Sequence, residues 1–206
     1  MKLIEANPSK LLEVLLASSE RQLEEPELQK VAAAVGILAS VYPLLRLDSP
    51  LSREGGYDER RENFKFVIDH IEAAIMEIEK SFPSEIPTFH RFTPGMYIRE
   101  IHVPAGCIFT SVTHKTEHPF VISAGVCDIC NEVGEVNRYG APFTGITKPL
   151  TRRVFLVQDD MVFTTFHATD ITDPDEWILK NTKNENTLPL DAGFKCFSRK
   201  GLKWRE

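Results

Sequence analysis

Cysteine, tryptophan and long hydrophobic runs are scarce in this chain. The scarcity of cysteine and of long hydrophobic runs each argues against a class of protein. Four cysteines and two tryptophans occur in 206 residues. So few cysteines argue against a secreted fold stapled by disulfides, and a reducing compartment is expected. The longest apolar run, 31–45, spans about 15 residues against the roughly 20 of a membrane span. We interpret it as a buried helix and expect no membrane insertion.

Positive charge is also in deficit. The chain has 24 Lys and Arg against 30 Asp and Glu, a formal net charge of −6. A general nucleic-acid binder needs a basic face that displaces counterions from phosphates, so we do not expect one. The apolar stretch 11–17 is interrupted by Glu13 and lacks the flanks of a signal peptide, which predicts a protein not secreted by that route.

The chain up to about residue 82 is predicted to be helical. Asn7-Pro8 is typical of a helix start, because Asn caps well and Pro fits the first helical position. A second helix is predicted from Pro26 to about residue 45, with a bend or break near Pro43. Residues 48–58 contain a proline and two glycines and are predicted to form a loop.

A third helix, predicted over about 59–81, carries one apolar seam. Its seam residues recur every three or four positions and are Phe64, Ile68, Ile71, Ile75, Ile78 and Phe82. Such a seam needs a partner. The partner is either the rest of this chain or the same helix in another subunit, and the second case would make the helical region 1–82 an oligomerisation or docking region and the protein a homo-oligomer.

The chain after this region is predicted to be β-structure. Residues 82–87 contain two prolines and form a linker, and from 88 onward short runs of Val, Ile, Phe and Thr are separated by Gly and Pro. Many short strands at this spacing are typical of an antiparallel barrel or jelly roll. The predicted fold class is therefore α+β: a helical region (1–82), an antiparallel β jelly-roll barrel (88–175) and a C-terminal extension packed on the barrel (176–206).

Residues 106–125 have the spacing of a known motif. Their sequence, GCIFTSVTHKTEHPFVISAG, resembles the first motif of the cupin superfamily, G(x)5HxH(x)3 or 4E(x)6G. Counted from Gly106, the two motif histidines fall on Val112 and His114, the motif glutamate falls on His118, and the closing glycine falls on Gly125. The glycine framework is kept, whereas the metal-ligand positions are altered.

The second cupin motif is matched less well, by TKPLTRR at 147–153. Pro149 keeps its place, Leu150 replaces a glycine, and Arg153 stands where the motif has a histidine. This register predicts that Arg153 is a ligand-binding residue inside the barrel. A guanidinium buried there needs a partner, because burying a lone charge is costly. The candidates are Glu100, Glu117 or an anionic ligand.

Three histidines are the predicted metal ligands: His114, His118 and His167. Four residues on an extended strand would separate His114 from His118 by roughly 13 Å. A turn at 115–117 is therefore predicted to bring His118 back on the neighbouring strand. Three imidazoles suit Zn, Fe, Ni or Cu rather than Mg or Ca.

The resemblance extends beyond these motifs. PGMYIREIHVPAG, HKTEHPFVISAG, TKPLTRR and TTFHATDITD follow one another between about residues 89 and 175, and together they resemble a cupin-like family of short proteins encoded mainly in bacteriophage genomes. Leu150 departs from that family, where related sequences tend to have glycine. The resemblance implies a jelly roll, a His-lined pocket and a phage setting, and hence a location in the infected host's cytoplasm or in the virion.

Two classes of function follow. The first is a phage accessory or virion-associated binding and assembly protein, with phage structural proteins as partners. The second is a metal-dependent enzyme in which Glu117 or Glu100 moves protons as catalytic acid and base. A metal-free variant of the second, like the cupin-fold sugar-nucleotide epimerases, would use Arg153 to hold an anionic substrate.

Overall fold

A computed structural model of the chain contains a helical region followed by an antiparallel sheet, which confirms the predicted fold class. The structure describes residues 22–47, 56–82 and 86–183, together with positions 13, 16, 196 and 197. Outside these residues lie most of the helix predicted after Asn7-Pro8 and of the 48–58 loop, positions 83–85 of the linker, and most of the extension beyond 183.

Residues 22–47 and 56–82 of the helical region contain a pair of helices. Helix α1 (Glu25–Val41) has Pro26 in its first turn, and a 3-10 turn (Tyr42–Leu45) follows it. Proline in a helix interior removes a hydrogen bond and clashes with the preceding turn, so the predicted break near Pro43 is confirmed as the change from α to 3-10 geometry. Helix α2 (Tyr57–Ser81) is the long second member of the pair.

The apolar seam of α2 is buried within the chain. Phe64, Ile68 and Ile71 are each no more than 2% exposed. One core joins the seam to α1 and to the outer face of the sheet, and its sheet members are Ile108, Cys130, Val154 and Leu156. Packing against the chain itself is therefore confirmed as the seam's role. Oligomerisation through the helical region stays a prediction, and it would have to use another surface.

The apolar helical segment at α1 is longer in the structure than the apolar run counted from the sequence. Glu25–Leu45 has 21 residues and a mean hydropathy of 1.6, long and apolar enough to cross a membrane by composition alone. The count from residue 31 was too short because the helix starts earlier. One-third of that window is buried in the structure, where Val31, Val35 and Leu38 pack against α2.

Among the residues that the structure describes, ten strands follow the helices. They are β1 (Thr88–Thr93), β2 (Met96–Val103), β3 (Ile108–Thr110), β4 (Thr113–His114), β5 (His118–Cys130), β6 (Val136–Gly140), β7 (Phe143–Thr147), β8 (Val154–Ala168), β9 (Thr182–Lys183) and β10 (Cys196–Phe197). A short helix, α3 (Pro174–Asn181), lies between β8 and β9.

The two long strands, β5 and β8, organise the sheet. They pair with each other, and each has two shorter neighbours on its other edge: β7 and β6 beside β5, and β2 and β3 beside β8. The β5–β8 register shifts three times between Ile122 and Cys127. Irregularities of this kind bend strands and increase their twist, which lets a sheet fold over on itself as in a jelly roll.

The inner faces of the folded sheet enclose a second core. It is built largely from aromatic and branched side chains: Ile101, Val103, Cys107, Phe109, Phe120, Ile122, Cys127, Ile129, Phe155, Val157, Met161 and Phe163. Cys127 belongs to this inner core and Cys130 to the outer one, and both are free thiols. Cys107 is disulfide-bonded, which the expectation of a reducing compartment did not anticipate.

The turn before β8 contains a leucine in a left-handed backbone conformation. Leu150 has φ 61°, and its N–H donates to the carbonyl of His114 at 2.8 Å. A residue with a Cβ is destabilised by about 1–2 kcal/mol in this conformation. Glycine avoids that cost, but it loses more backbone entropy on folding, which offsets part of the gain.

Leu150→Gly should therefore raise the free energy of unfolding by up to about 1 kcal/mol in urea titrations. Leu150→Ala keeps the Cβ, and a glycine variant no more stable than the alanine variant would contradict the explanation.

Candidate metal centre

Three histidines from three strands meet inside the barrel: His118 and His167 lie on the large sheet, and His114 lies on the two-stranded sheet of β4 and β9. His114 ends β4, His118 begins β5, and His167 lies near the end of β8. Their ring centroids are 4.4 Å apart for His114 and His118, 5.1 Å for His114 and His167, and 4.4 Å for His118 and His167. One nitrogen from each ring lies within 4.8 Å of the others. The structure thus brings together the three predicted metal ligands.

Strand register explains this convergence. Phe120 pairs with Thr165 across β5 and β8, and the same register continued by two residues sets His118 opposite His167. A bend at 115–116 separates His114 from His118, as predicted. The prediction that β4 and β5 are neighbours is wrong, however, because β4 pairs with β9.

Hydrogen bonds determine which ring nitrogen is unprotonated in His118 and in His167. His118 Nδ1 lies 3.3 Å from the carbonyl oxygen of Thr116, an acceptor, so Nδ1 carries the proton and Nε2 keeps its lone pair. His167 Nε2 lies 2.9 Å from Thr165 Oγ1, whose own hydroxyl donates to the Arg99 carbonyl. His167 therefore donates through Nε2, and its Nδ1 is free to bind a ligand.

Two nitrogens of the cluster have no protein partner among the described residues. The Nδ1 atoms of His114 and His167 are buried and form no hydrogen bond within the described part of the chain. Buried polar atoms are nearly always satisfied in native proteins, and each exception calls for an explanation such as an ion. A metal held by these nitrogens would satisfy both atoms at once.

Burial also holds the three rings neutral. It lowers the pKa of His118 to about 4 and that of His167 to about 3. The pKa of His114 is well below its ordinary value, first through burial and then through the neighbouring imidazoles. Metals bind the neutral form of imidazole. The cluster is therefore in its binding form at neutral pH without having to release protons.

Two aromatic residues enclose the cluster. Trp177 on α3 lies 4.2 Å from the ring of His167 and 5.7 Å from that of His114, and it is 2% exposed. Tyr97 stacks at 5.7 Å from His167, and its hydroxyl lies 2.6 Å from His90 Nδ1. Helix α3 is held in place by β9, by the Asp173 cap at its N-terminus and by contacts to residue 115.

Arg153 lies inside the barrel on the aromatic floor. Its guanidinium is 5.3 Å from the ring centroid of Phe120 and 5.8 Å from that of Phe155, and it donates a hydrogen bond to Thr147 Oγ1. Burial lowers the pKa of Arg153, and the charge of Glu132 opposes that shift. Cation–π contacts are worth about 0.5–2 kcal/mol, whereas burying an unpaired charge costs several kcal/mol.

The two carboxylates predicted as catalytic lie apart from the histidines. Glu117 is exposed in the bend between β4 and β5. Glu100 binds His102 at 3.0 Å and Arg91 at 3.5 Å, and strand alternation puts it on the face of β2 opposite Tyr97. Neither carboxylate is joined to the cluster or to Arg153 by a described contact, so their catalytic role stays a prediction.

Sequence reasoning missed four residues around the centre: Tyr97, Arg99, Thr165 and Trp177. Thr165 had a signal that was available, since it precedes His167 by two and residues two apart on a strand face the same way. Tyr97 and Arg99 are the cross-strand partners of His167 and Thr165, which only the folded sheet shows. Trp177 had no such signal, because the helix that carries it reaches the site through its tertiary contacts.

Comparisons with known proteins add neither a family nor an activity. No protein-family model and no curated protein matches the sequence. Among solved structures, an uncharacterized protein with a double-stranded β-helix domain from Klebsiella pneumoniae is similar at 16% identity and a TM-score of 0.38, over 44% of this chain and 83% of that chain.

Two enzymes are among the similar structures. Ectoine synthase from P. lautus matches at 10% identity and a TM-score of 0.39, over 47% of this chain and 72% of that chain. An acetylacetone dioxygenase from Acinetobacter johnsonii matches at 12% identity and a TM-score of 0.34, over 40% of this chain and 59% of that chain. At these values the likeness carries no inference about the reaction.

Proposed function

We propose that His114, His118 and His167 hold a divalent transition metal and that the protein is a metal-dependent enzyme acting on a small substrate. The observation that carries the proposal is the convergence of three neutral imidazoles, two of them buried and that of His114 half-buried, with one nitrogen of each ring within 4.8 Å of the others. Imidazole donors suit Zn, Fe, Ni or Cu. Val112, which stands where the motif has its first histidine, is apolar and contributes no ligand.

The ligand number favours catalysis over a structural role. Structural zinc sites are almost always closed by four protein ligands, whereas catalytic sites use three and leave a position for water or substrate. When bound, a metal here would supply Lewis-acid polarisation of a substrate or water oxygen. The protein's own part is to orient the imidazoles, through Thr116 and Thr165, and to exclude bulk water with Trp177.

Elemental analysis tests the proposal. Protein purified without a histidine tag should contain close to one transition-metal ion per chain, and His114→Ala and His118→Ala should each lower that content by at least about tenfold, because a first ligand is lost. His70→Ala is the matched control, since His70 is half-buried on α2 and does not belong to the cluster. Circular dichroism checks that each variant is folded. A metal-free wild type, or equal loss in the control, would contradict a histidine-held metal.

A metal-free enzyme is the second candidate, and Arg153 favours it. A buried guanidinium beside the histidines repels a divalent cation and attracts an anion. In that version the imidazoles would transfer protons, as in the epimerase-like alternative. The same elemental analysis separates the two, because folded, active wild type without metal would leave this candidate standing.

A phage accessory or virion-associated role stays a prediction from the sequence resemblance alone. The structure shows that the helical seam is used inside the chain, so docking by the helical region would need other residues. Mass spectrometry of purified particles tests it, and absence of this chain from them would argue against the virion version.

A further inference from the structure

We propose that Arg153 forms the oxyanion subsite of the pocket, so that the substrate carries a carboxylate or phosphate group next to the three-histidine centre. This inference rests on the proposed function, because it assigns the anion to that enzyme's substrate. It specifies the chemical class of molecule that the pocket accepts.

The position of Arg153 relative to the centre is set by strand register. Thr147 on β7 is the cross-strand partner of His118 on β5, and the Arg153 guanidinium donates to the Thr147 hydroxyl. Opposed side chains of an antiparallel pair stand about 5 Å apart. The hydrogen bond therefore holds the cation beside one of the three imidazoles. The charge of Arg153 also acts on His114 and His118.

The guanidinium keeps donor capacity that the protein does not use. Its Nε is buried and has no hydrogen-bond acceptor among the described residues. An arginine offers five N–H donors in a planar fork that matches carboxylate and phosphate. One hydroxyl and two aromatic faces do not neutralise it, and the nearby charge of Glu132 only opposes the effect of burial, without a described hydrogen bond to the guanidinium. An anion from outside the chain would provide both the acceptor and the charge.

The surroundings of Arg153 further define the ligand. Phe120 and Phe155 form an apolar floor under the guanidinium, each no more than 3% exposed. Phe120 itself fills the space over Gly145, where an added Cβ would lie 2.5 Å from its ring. The floor is therefore tightly packed, and its aromatic carbons supply no hydrogen-bond acceptor to the guanidinium. A carboxylate or phosphate group would supply the acceptors that these rings lack.

Titration calorimetry with two probes tests the subsite on metal-free protein, prepared as the full chain by chelation and dialysis. The probes are sodium malonate and sodium phosphate at pH 7, with sodium chloride keeping the ionic strength constant. At least one should bind wild type, and Arg153→Met should weaken it about 10- to 100-fold, the range for hydrogen bonds to a charged group. Malonate alone would indicate a carboxylate substrate, and phosphate alone a phosphorylated one.

Two further variants complete the design. Arg91→Met is the matched control, because Arg91 is exposed on β1 and pairs with Glu100 outside the pocket, and its affinity should equal wild type. Arg153→Lys keeps the charge but loses the planar fork; it decides the question if Arg153→Met does not fold, and about tenfold weaker binding is expected. The proposal is overturned if neither probe binds wild type. It is also overturned if every folded Arg153 variant binds the probes with wild-type affinity.

The result of the anion titration can be separated from the result of the elemental analysis for metal. Metal content is measured on protein as purified, whereas anion binding is measured after metal removal. Stoichiometric metal without anion binding overturns the oxyanion subsite and leaves the metal proposal intact. Anion binding through Arg153 without any metal upholds the subsite and overturns the metal proposal.

Discussion

Acidification from about pH 6.5 to pH 4 is expected to destabilise the metal-free protein by several kcal/mol. In the unfolded chain a histidine binds its proton near pH 6.5. In the folded chain burial lowers the pKa of His118 to about 4 and that of His167 to about 3, and lowers that of His114 as well. Below pH 6.5 the unfolded state thus takes up protons that the folded state refuses.

The sign and window follow from these values. Above about pH 6.5 both states are neutral at these sites, and their contribution to stability is complete. As pH falls, stability drops by up to about 1.4 kcal/mol per pH unit for each histidine until the folded state also protonates near pH 3 to 4. Urea titrations between pH 7 and 4.5 measure the slope. It should persist in high salt, because burial rather than surface charge causes the shifts.

Glutamine substitutions assign the slope to the cluster. His118→Gln and His167→Gln should each remove one histidine's share of the pH dependence, since glutamine does not titrate in this range. Carboxylates contribute to acid sensitivity in every variant, so the comparison with wild type is the informative quantity. An unchanged slope in both variants would show that the imidazoles are not held neutral by burial.

Gly125→Ala is expected to cost several kcal/mol of stability. Gly125 has φ +83°, and a Cβ there would lie 2.4 Å from the Asp160 carbonyl oxygen and 2.7 Å from the Met161 Cα. The left-handed backbone alone costs about 1–2 kcal/mol, and overpacking typically adds 1–3 kcal/mol. Both contacts are with backbone, which cannot rotate away. The β5–β8 pairing must therefore shift, at the place where its register is already irregular.

Gly95→Ala is the matched control for this substitution. Gly95 has nearly the same φ, +77°, but nothing lies within 4 Å of its added Cβ. Its loss of stability should be confined to the backbone cost of about 1–2 kcal/mol. The difference between the two variants in urea titrations then measures the close approach of β5 to β8. Equal losses would mean that the strands accommodate a methyl group at no cost.

Local features of the fold were predictable because they depend on neighbours in the chain. The α2 seam repeats every three or four residues, and the prolines at 26 and 43 act on their own turns, so helix boundaries came within a few residues of the structure. Gly125 closes a motif whose spacing is local, and its left-handed φ is the reason that the position needs glycine. The strand region was recognisable from its alternating β-branched and turn residues.

The site was only partly predictable, because its geometry depends on pairing between distant strands. His114, His118 and His167 were identified as candidate ligands from motif register and residue type. The pairing of β4 with β9 and the contact of Trp177 with His114 each join residues more than 60 positions apart in the chain. Glu100 is a carboxylate and was a candidate catalytic residue by residue type. Its position on β2 puts it on the face opposite Tyr97, and that Tyr97 faces the histidines is known only from the folded structure.

The sequence by itself therefore determined the order of helices and strands, the glycine positions of the jelly roll and the identity of three imidazole donors. Each of these depends on composition or spacing within a single segment. The tertiary structure alone decided that the seam packs inside the chain, that nitrogens of the three imidazoles lie within 4.8 Å of one another, and that Arg153 contacts Phe120, Phe155 and Thr147. Those outcomes depend on which strands pair and in what register, and long-range pairing leaves no periodic pattern in any one segment.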